Sequence, residues 1–205
     1  YRFYDKRTET HLSDLIYCIT KTYWKNKMDI KPSDQDIRYW IIGLGLEEVL
    51  LRSIDIPQPE STQVDNIWVT PDYTMLLDDA LAELKSTRIY PDKLGNPKEW
   101  PETWLEQMMG YVYVHRLLKN KPLDYRLAVF YVGKAELQGR RFIFTEDEVK
   151  TLWRKMLARK AILDNAYAAS LPPEPFKYAR EWECRHCVLR VICDVTKSTG
   201  VYLRE

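Results

Sequence analysis

Apolar Leu15, Ile16, Ile19 and Tyr23 keep helical spacing and predict a first helix over residues 13–25, with Cys18 inside it. A second helix is predicted from residue 34 to about 53, behind Pro32, with Ser33 as its N-cap. Gly43 and Gly45 lie in its interior, where they weaken a helix but let a neighbouring backbone come close. Residues 56–65 read as a proline-containing loop. Strands follow over 66–77 and 81–88, joined by a tight turn at Asp78 and Asp79. A second proline-rich loop covers 90–101. Beyond it the pattern predicts a helix over 102–119, strands over 125–132 and 141–144, and a long amphipathic helix over 146–170. Pro172, Pro173 and Pro175 end that helix, and a compact cysteine-bearing segment closes the chain. No internal repeat or low-complexity tract interrupts this order, which suits an α/β fold with a mixed central sheet flanked by helices.

With 205 residues, 45% of them hydrophobic, the chain is long enough for one substantial core and is read as a single domain over 1–205. No apolar run is long enough to span a bilayer, and nothing resembles a secretory signal. The start at Tyr1 reads as a chain lacking its initiator region, and the expectation is a soluble, cytoplasmic protein. The formal net charge of +1 hides a polarity. Residues 1–114 carry 13 basic and 19 acidic side chains, and residues 115–205 carry 18 and 11. An acidic half suited to metal ions and a basic half suited to phosphates fit a nuclease, although solvated helix faces give similar counts.

Residues 69–87 hold the most informative chemistry. A two-residue turn at Asp78 and Asp79 would pair Leu77 with Ala80, Thr74 with Glu83 and Asp72 with Lys85. Directly opposed residues share a face, so Asp72, Thr74, Glu83 and Lys85 emerge together, while Tyr73, Met75, Ala82 and Leu84 take the other face. Two carboxylates can hold a hard divalent cation such as Mg2+ or Mn2+, and a neighbouring lysine can orient water or offset transition-state charge. The competing reading is an exposed, salt-bridged hairpin.

The four cysteines fall one plus three. Cys184, Cys187 and Cys193 form a C-x2-C-x5-C array, and Cys18 stands alone near the other end. In an intracellular protein such an array favours metal ligation over disulfides. Spacing does not separate zinc from an iron–sulfur cluster, and His186 inside the array is an alternative ligand. Either metal would close a very long loop, contributing roughly 5 kcal/mol by chain-entropy arguments.

Taken together, these motifs resemble a family. Pro71-Asp72 followed by Glu83-Leu84-Lys85 resembles the signature of PD-(D/E)xK nucleases. Gln107 and Tyr111, in QMMGY, resemble the Q-x3-Y helix motif of the RecB-type branch. Cys18 with Cys184, Cys187 and Cys193 resembles that branch's iron–sulfur staple, whose one-plus-three split implies a [4Fe-4S] cluster. Among its members the small CRISPR-adaptation nuclease, the fourth of the Cas proteins, is most similar, with phage and viral relatives alongside.

The resemblance implies a restriction-endonuclease-like core whose chain ends, including a cysteine segment at about 176–196, are joined by the cluster. It implies a divalent-metal-dependent deoxyribonuclease, an exonuclease acting on DNA ends or single strands. Asp72, Glu83, Lys85, Gln107 and Tyr111 would be catalytic, and Glu47, Asp72 and Glu83 would bind Mg2+ or Mn2+. CRISPR-adaptation or recombination proteins would be its partners, in an antiviral-defence setting. One departure stands out. Where the family places a histidine, this chain has Glu47, with Glu48 next to it as the alternative; lambda-exonuclease-like relatives use glutamate there. His11 and His115 fit no catalytic pattern. Basic residues after His115, with Trp153, Tyr167 and Tyr178, would line a strand path or belong to the core. Against the nuclease stand a non-catalytic DNA-binding or assembly subunit and an electron-transfer protein.

Overall fold

The computed structural model describes residues 9–28, 30, 34–54, 60–74, 81–88, 100–185 and 187–204. Seven α-helices and six strands are placed among them: α1 (Leu12–Ile16), α2 (Ile19–Lys27), α3 (Asp34–Ile54), β1 (Thr62–Val64), β2 (Ile67–Val69), β3 (Tyr73–Thr74), β4 (Leu81–Thr87), α4 (Glu102–His115), β5 (Asp124–Tyr131), β6 (Glu136–Ile143), α5 (Glu146–Ala169), α6 (Glu181–Arg185) and α7 (Arg190–Thr199). They form two compact units. One comprises Tyr1–Lys31, Asp65–Trp68 and Trp153–Glu205, and the other Pro32–Val64 and Val69–Leu152. Among the described residues no helix is long and apolar enough to cross a membrane.

The unit of residues 32–64 and 69–152 is built on a four-stranded mixed sheet of order β3-β4-β5-β6. β4 and β5 run parallel, with Glu83 beside Leu127 and Lys85 beside Val129, while both outer pairs are antiparallel. A parallel neighbour requires a crossover, and α4 lies in the connection from β4 to β5. Tyr125, Leu127, Val129 and Tyr131 alternate along β5 and are buried, as are Met108, Tyr111, Val112 and Val114 of α4. The rings of Tyr111 and Tyr125 meet at 5.8 Å, so α4 covers this face of the sheet. α3 packs against β4.

In the other unit Leu12, Leu15, Ile16, Ile19 and Tyr23 are buried, with Trp153, Met156, Leu163 and Ala166 of α5. The predicted first helix is broken here. Tyr17 is extended and Cys18 becomes the N-cap of α2, so Cys18 does not lie within a helix. The break survives because long-range partners satisfy the backbone it frees. Arg180 Nη1 donates to the Ile16 carbonyl at 2.9 Å, Arg159 Nη2 to the Tyr17 carbonyl at 2.6 Å, and the Cys18 amide donates to Glu183 Oε1 at 2.9 Å.

Other expectations shift in smaller ways. The segment read as a loop contains β1, and the strand expected over 66–77 is two short strands, β2 and β3, separated by residues 70–72. The helix after Pro101 ends at His115, followed by a single 3-10 turn at Leu117–Lys119, and β6 begins at Glu136, earlier than its sequence suggested. Ser33, Asp78 and Asp79 lie outside the described residues, as does His186. α3 agrees closely with its prediction, but the reason given for its glycines does not hold. Among the described residues, a Cβ built on Gly43 or Gly45 would meet nothing within 4 Å, so no backbone approaches them.

Because that space is open, Gly43→Ala should stabilise the protein by about 0.8–1.0 kcal/mol through helix propensity alone. Thermal unfolding would then move up by roughly 2–4 °C. A lower melting temperature would mean that Gly43 is needed for packing.

Candidate functional site

Register decides which side chains meet. The two described pairs of the hairpin are Tyr73 with Ala82 and Thr74 with Leu81. The ladder is therefore slipped by two residues from the expected pairing, which placed Thr74 opposite Glu83 and Asp72 opposite Lys85. The expected turn at Asp78 and Asp79 lies outside the described residues; the slip brings Asp72 level with Glu83, where its carboxylate can cap the Leu84 amide. Since side chains alternate with period two, an even slip preserves the face, and Asp72 now falls in line with Glu83. Where β3 ends, the Asp72 carboxylate continues its work: Oδ2 accepts the Leu84 amide at 2.9 Å.

Glu83 is buried, with 1% of its surface exposed, which excludes an exposed salt-bridged hairpin. Its Oε1 accepts Gln107 Nε2 at 2.7 Å and also pairs with Lys85 Nζ. The same Gln107 nitrogen donates to Tyr111 Oη at 2.6 Å, so one amide spends both protons within the site. Gln107 and Tyr111 are one helical turn apart on α4, which explains how they reach one sheet position. Glu83 Oε2 is buried and makes no hydrogen bond. Burial, opposed by Lys85 and reinforced by the Asp72 charge, pushes the Glu83 carboxyl up to about 8. Asp72 is raised mainly by burial, with Lys85 and the Leu84 amide acting against the shift.

From α3, Glu47 reaches the same electrostatic neighbourhood. Burial raises its pKa first, then the Asp72 charge, while Lys85 lowers it. Its neighbour Glu48 is exposed. The predicted set Glu47, Asp72, Glu83, Lys85, Gln107 and Tyr111 is thus brought into one neighbourhood. His115 is buried at the end of α4 and takes no part; burial, with Lys119 and Arg116 nearby, lowers its pKa to about 4.

The cysteines gather in the other unit. Cys18, Cys184, Cys187 and Cys193 line one pocket, with Lys21, Glu183 and Arg190 also at its wall. Cys18 and Cys193 are buried, and none of the four is in a disulfide. Burial raises the Cys18 and Cys184 thiols, each further raised by Glu183 and another thiol. Cys193 is pushed up to about 12, first by burial and then by Cys18, Cys187 and Cys184. Among the described residues, no group of three or more His, Cys, Asp or Glu side chains is placed so as to hold a metal ion.

Residues that sequence reasoning missed hold this pocket together. Glu183 accepts the amides of both Cys18 and Arg180, and Arg159 bridges the carbonyls of Tyr17 and Tyr178 at 2.6 and 3.1 Å. No local signal marks them, because the Tyr17 and Tyr178 carbonyls that Arg159 bridges and the Cys18 partner of Glu183 are distant in sequence. The aromatics considered for a strand path are structural. Trp153 is buried with Nε1 donating to Asp65 at 2.8 Å, Tyr167 stacks on Tyr23, and Tyr178 sits beneath Arg159 and Lys177.

The chain shares its fold with an alkaline exonuclease from Laribacter hongkongensis, with 11% sequence identity over 79% of this chain and 91% of that one, at a TM-score of 0.55. It is also similar to the protein named SSO0001, with 17% identity over 91% of this chain and 86% of that one, at a TM-score of 0.53. No family model matches the chain. No curated protein matches it either.

Removing the Gln107 amide should leave Glu83 Oε1 short of a donor in a buried setting. Gln107→Ala should therefore lower stability by about 1–3 kcal/mol, and Gln107→Glu, which adds a carboxylate, should lower it further. Denaturant titration of both variants checks the order. A Gln107→Glu protein as stable as the parent would show that the Glu83 contact carries no weight.

Proposed function

We propose that the chain is a divalent-metal-dependent DNA nuclease acting on DNA ends or single strands, with Asp72, Glu83 and Lys85 at its centre. The observation that carries this reading is the buried Glu83 Oε2, which no amide or amine of the described residues reaches and which faces the Asp72 carboxyl, so the pair can bond to each other only by holding a proton between them. A protein gains nothing in stability from two facing carboxylates and an unsatisfied oxygen, since leaving a buried acceptor unpaired is unfavourable by about 1–3 kcal/mol. A hard cation resolves both problems, and oxygen donors are the ligands it prefers. The donor set therefore fits Mg2+ or Mn2+, held by Asp72 and Glu83 with Glu47 in the position a histidine takes in the resembled family.

Bound there, the cation would polarise the scissile phosphate and acidify a water. The side chains do the remaining work. Lys85, half-exposed beside Glu83, offers a positive charge toward the attacking water or the developing phosphorane charge. Gln107 fixes the Glu83 carboxylate and leaves Tyr111 Oη oriented by the same amide. A non-catalytic binding subunit would have no need to keep this buried cluster, and an electron-transfer role leaves it unexplained. The resemblance of the motifs and the shared fold of an alkaline exonuclease support the same reading.

We further propose that Cys18, Cys184, Cys187 and Cys193 ligate a [4Fe-4S] cluster, with zinc as the alternative. Four thiols around one pocket, each of the three with a raised pKa hindered by its sulfur neighbours, fit a group that takes thiolates and compensates their charge. The cluster is structural on this reading and tethers the chain ends to each other. Partners from CRISPR adaptation or recombination belong to the same proposal.

The nuclease reading is tested with end-labelled single- and double-stranded DNA in Mn2+ or Mg2+. Glu83→Gln should abolish cleavage. Manganese should raise the melting temperature of the parent by several degrees and leave Glu83→Gln unmoved, a readout independent of turnover. A well-folded Glu83→Gln protein that still cuts DNA would remove the proposal.

The cluster is tested by metal analysis of anaerobically purified protein. About four irons per chain are expected, and Cys18→Ala should lose them together with several kcal/mol of stability, by roughly the loop-closure magnitude. One zinc and no iron would replace the cluster by a zinc site.

A further inference from the structure

Glu183 does more than the start of its own helix requires. Its Oε2 accepts the amide of Arg180 at 2.9 Å, a three-residue reach back from the first turn of α6 that glutamine makes equally well. Its Oε1 accepts the amide of Cys18 at 2.9 Å, 165 residues away in sequence. The Arg180 guanidinium stands 3.9 Å from Oε2 and donates to the Ile16 carbonyl, so Arg180 and Glu183 grip both sides of extended Tyr17. Among the described residues both Glu183 oxygens only accept, beside a guanidinium, which is the pattern of a carboxylate and not of its acid. This side chain is 7% exposed and stands in the wall of the pocket that holds all four thiols. Water therefore screens its charge little.

Resting on the cluster reading above, we infer that Glu183 is a positioning residue for the cluster, tying the Cys18 ligand into the pocket and holding the cluster in its oxidised 2+ state by a fixed negative charge. The direction follows from the charges. Four thiolates around a 2+ core make a dianion, and one further electron makes a trianion, so a buried anion in the wall opposes reduction more than it opposes the resting state. The Cys18 amide acts the same way. A backbone N–H aimed at a cluster sulfur favours the reduced form, and this one is committed to Glu183 instead. Burial is the largest cause of each raised thiol, and behind it Glu183 raises Cys18 and Cys184, while Asp194 raises Cys184 and Cys193. Opposing them are the Lys21 and Thr20 amides at Cys18 and the Arg190 charge at Cys184. Arg190 is exposed and screened, whereas Glu183 is not. A cluster that refuses electrons is a cross-link only, so the tether between the chain ends holds in the presence of reductants.

The test is anaerobic voltammetry of the iron-loaded full chain, which reads the midpoint potential of the cluster. Dithionite, a one-electron donor, gives a second readout through the paramagnetic signal of the reduced cluster. The parent should stay oxidised in dithionite at neutral pH. Glu183→Gln keeps an acceptor oxygen for the Cys18 amide and removes the charge. It should hold its iron and shift the reduced-to-oxidised ratio at a fixed potential about tenfold toward the reduced form, equivalent to about 59 mV for a one-electron couple. Glu181→Gln, which removes an exposed carboxylate from the same helix, should leave the potential where it was. A parent that dithionite reduces fully overturns the inference, whether or not any variant folds. So does an iron-loaded Glu183→Gln protein with the parent's potential, because Glu183 would then be a helix cap alone. An equal shift in Glu181→Gln also overturns it, since the effect would be one of net charge. Metal analysis of the same samples keeps the two proposals apart. Zinc without iron overturns the cluster reading and this inference together, whereas about four irons per chain with an unmoved potential overturns this inference alone.

Discussion

Burying Glu83 under α4 is the constraint from which the rest of its unit follows. A carboxylate removed from water must be paired, protonated or ligated; this one is paired on Oε1, and burial beside Asp72 pushes it toward the protonated form. Lys85 and Gln107 answer for that oxygen, which obliges β4 to present residues 83 and 85 on one face and α4 to cross above them. Tyr111 is drawn in through the second proton of Gln107 and packs on Tyr125, joining the polar site directly to the apolar core of β5. The geometry at the candidate site is therefore fixed by the same burial that makes it electrostatically unfavourable. Stability is sacrificed at one oxygen to hold the arrangement ready, a pattern common where function outweighs packing.

The second unit solves a different problem with similar means. Bringing Cys18 to the C-terminal array requires the first helical segment to stop at Ile16, change direction through extended Tyr17, and restart at Ile19. Three backbone groups at that turn, the carbonyls of Ile16 and Tyr17 and the amide of Cys18, have charged partners from the far end of the chain: Arg180, Arg159 and Glu183. These charge-assisted bonds are stronger than neutral ones and hold Cys18 at the pocket without help from its thiol. The thiols supply no stabilisation of their own, since each with a resolved shift is made harder to ionise by burial and by the others. Preorganised backbone and reluctant thiols together define the pocket that the cluster proposal fills.

What the sequence revealed and what it concealed divide along physical lines. Face parity was legible, because Asp72, Glu83 and Lys85 share a face under any even slip of the hairpin, so the shared face survives although the register does not. Long periodic elements such as α3 and α5 were legible for the same reason of redundancy. The break at Tyr17 was not, since apolar spacing continues across it and its causes lie at residues 159, 180 and 183. Nor was the burial of Glu83 legible from local pattern, because it depends on α4 lying over the sheet. Assigning Trp153, Tyr167 and Tyr178 to packing likewise needed their partners Asp65, Tyr23 and Arg159.

Charge divides between the two units much as it divides between the two halves of the sequence. The unit holding the cysteine pocket carries 17 basic and 11 acidic residues, and the unit holding Glu47, Asp72 and Glu83 carries 14 and 19. On the nuclease reading, the carboxylate unit repels a polyanion until cations neutralise it, whereas the basic unit attracts phosphates at any cation concentration. On the same reading, divalent ion and strand are coupled ligands of the carboxylate unit, each strengthening the other by supplying the opposite charge. Such coupling is reciprocal by thermodynamic necessity.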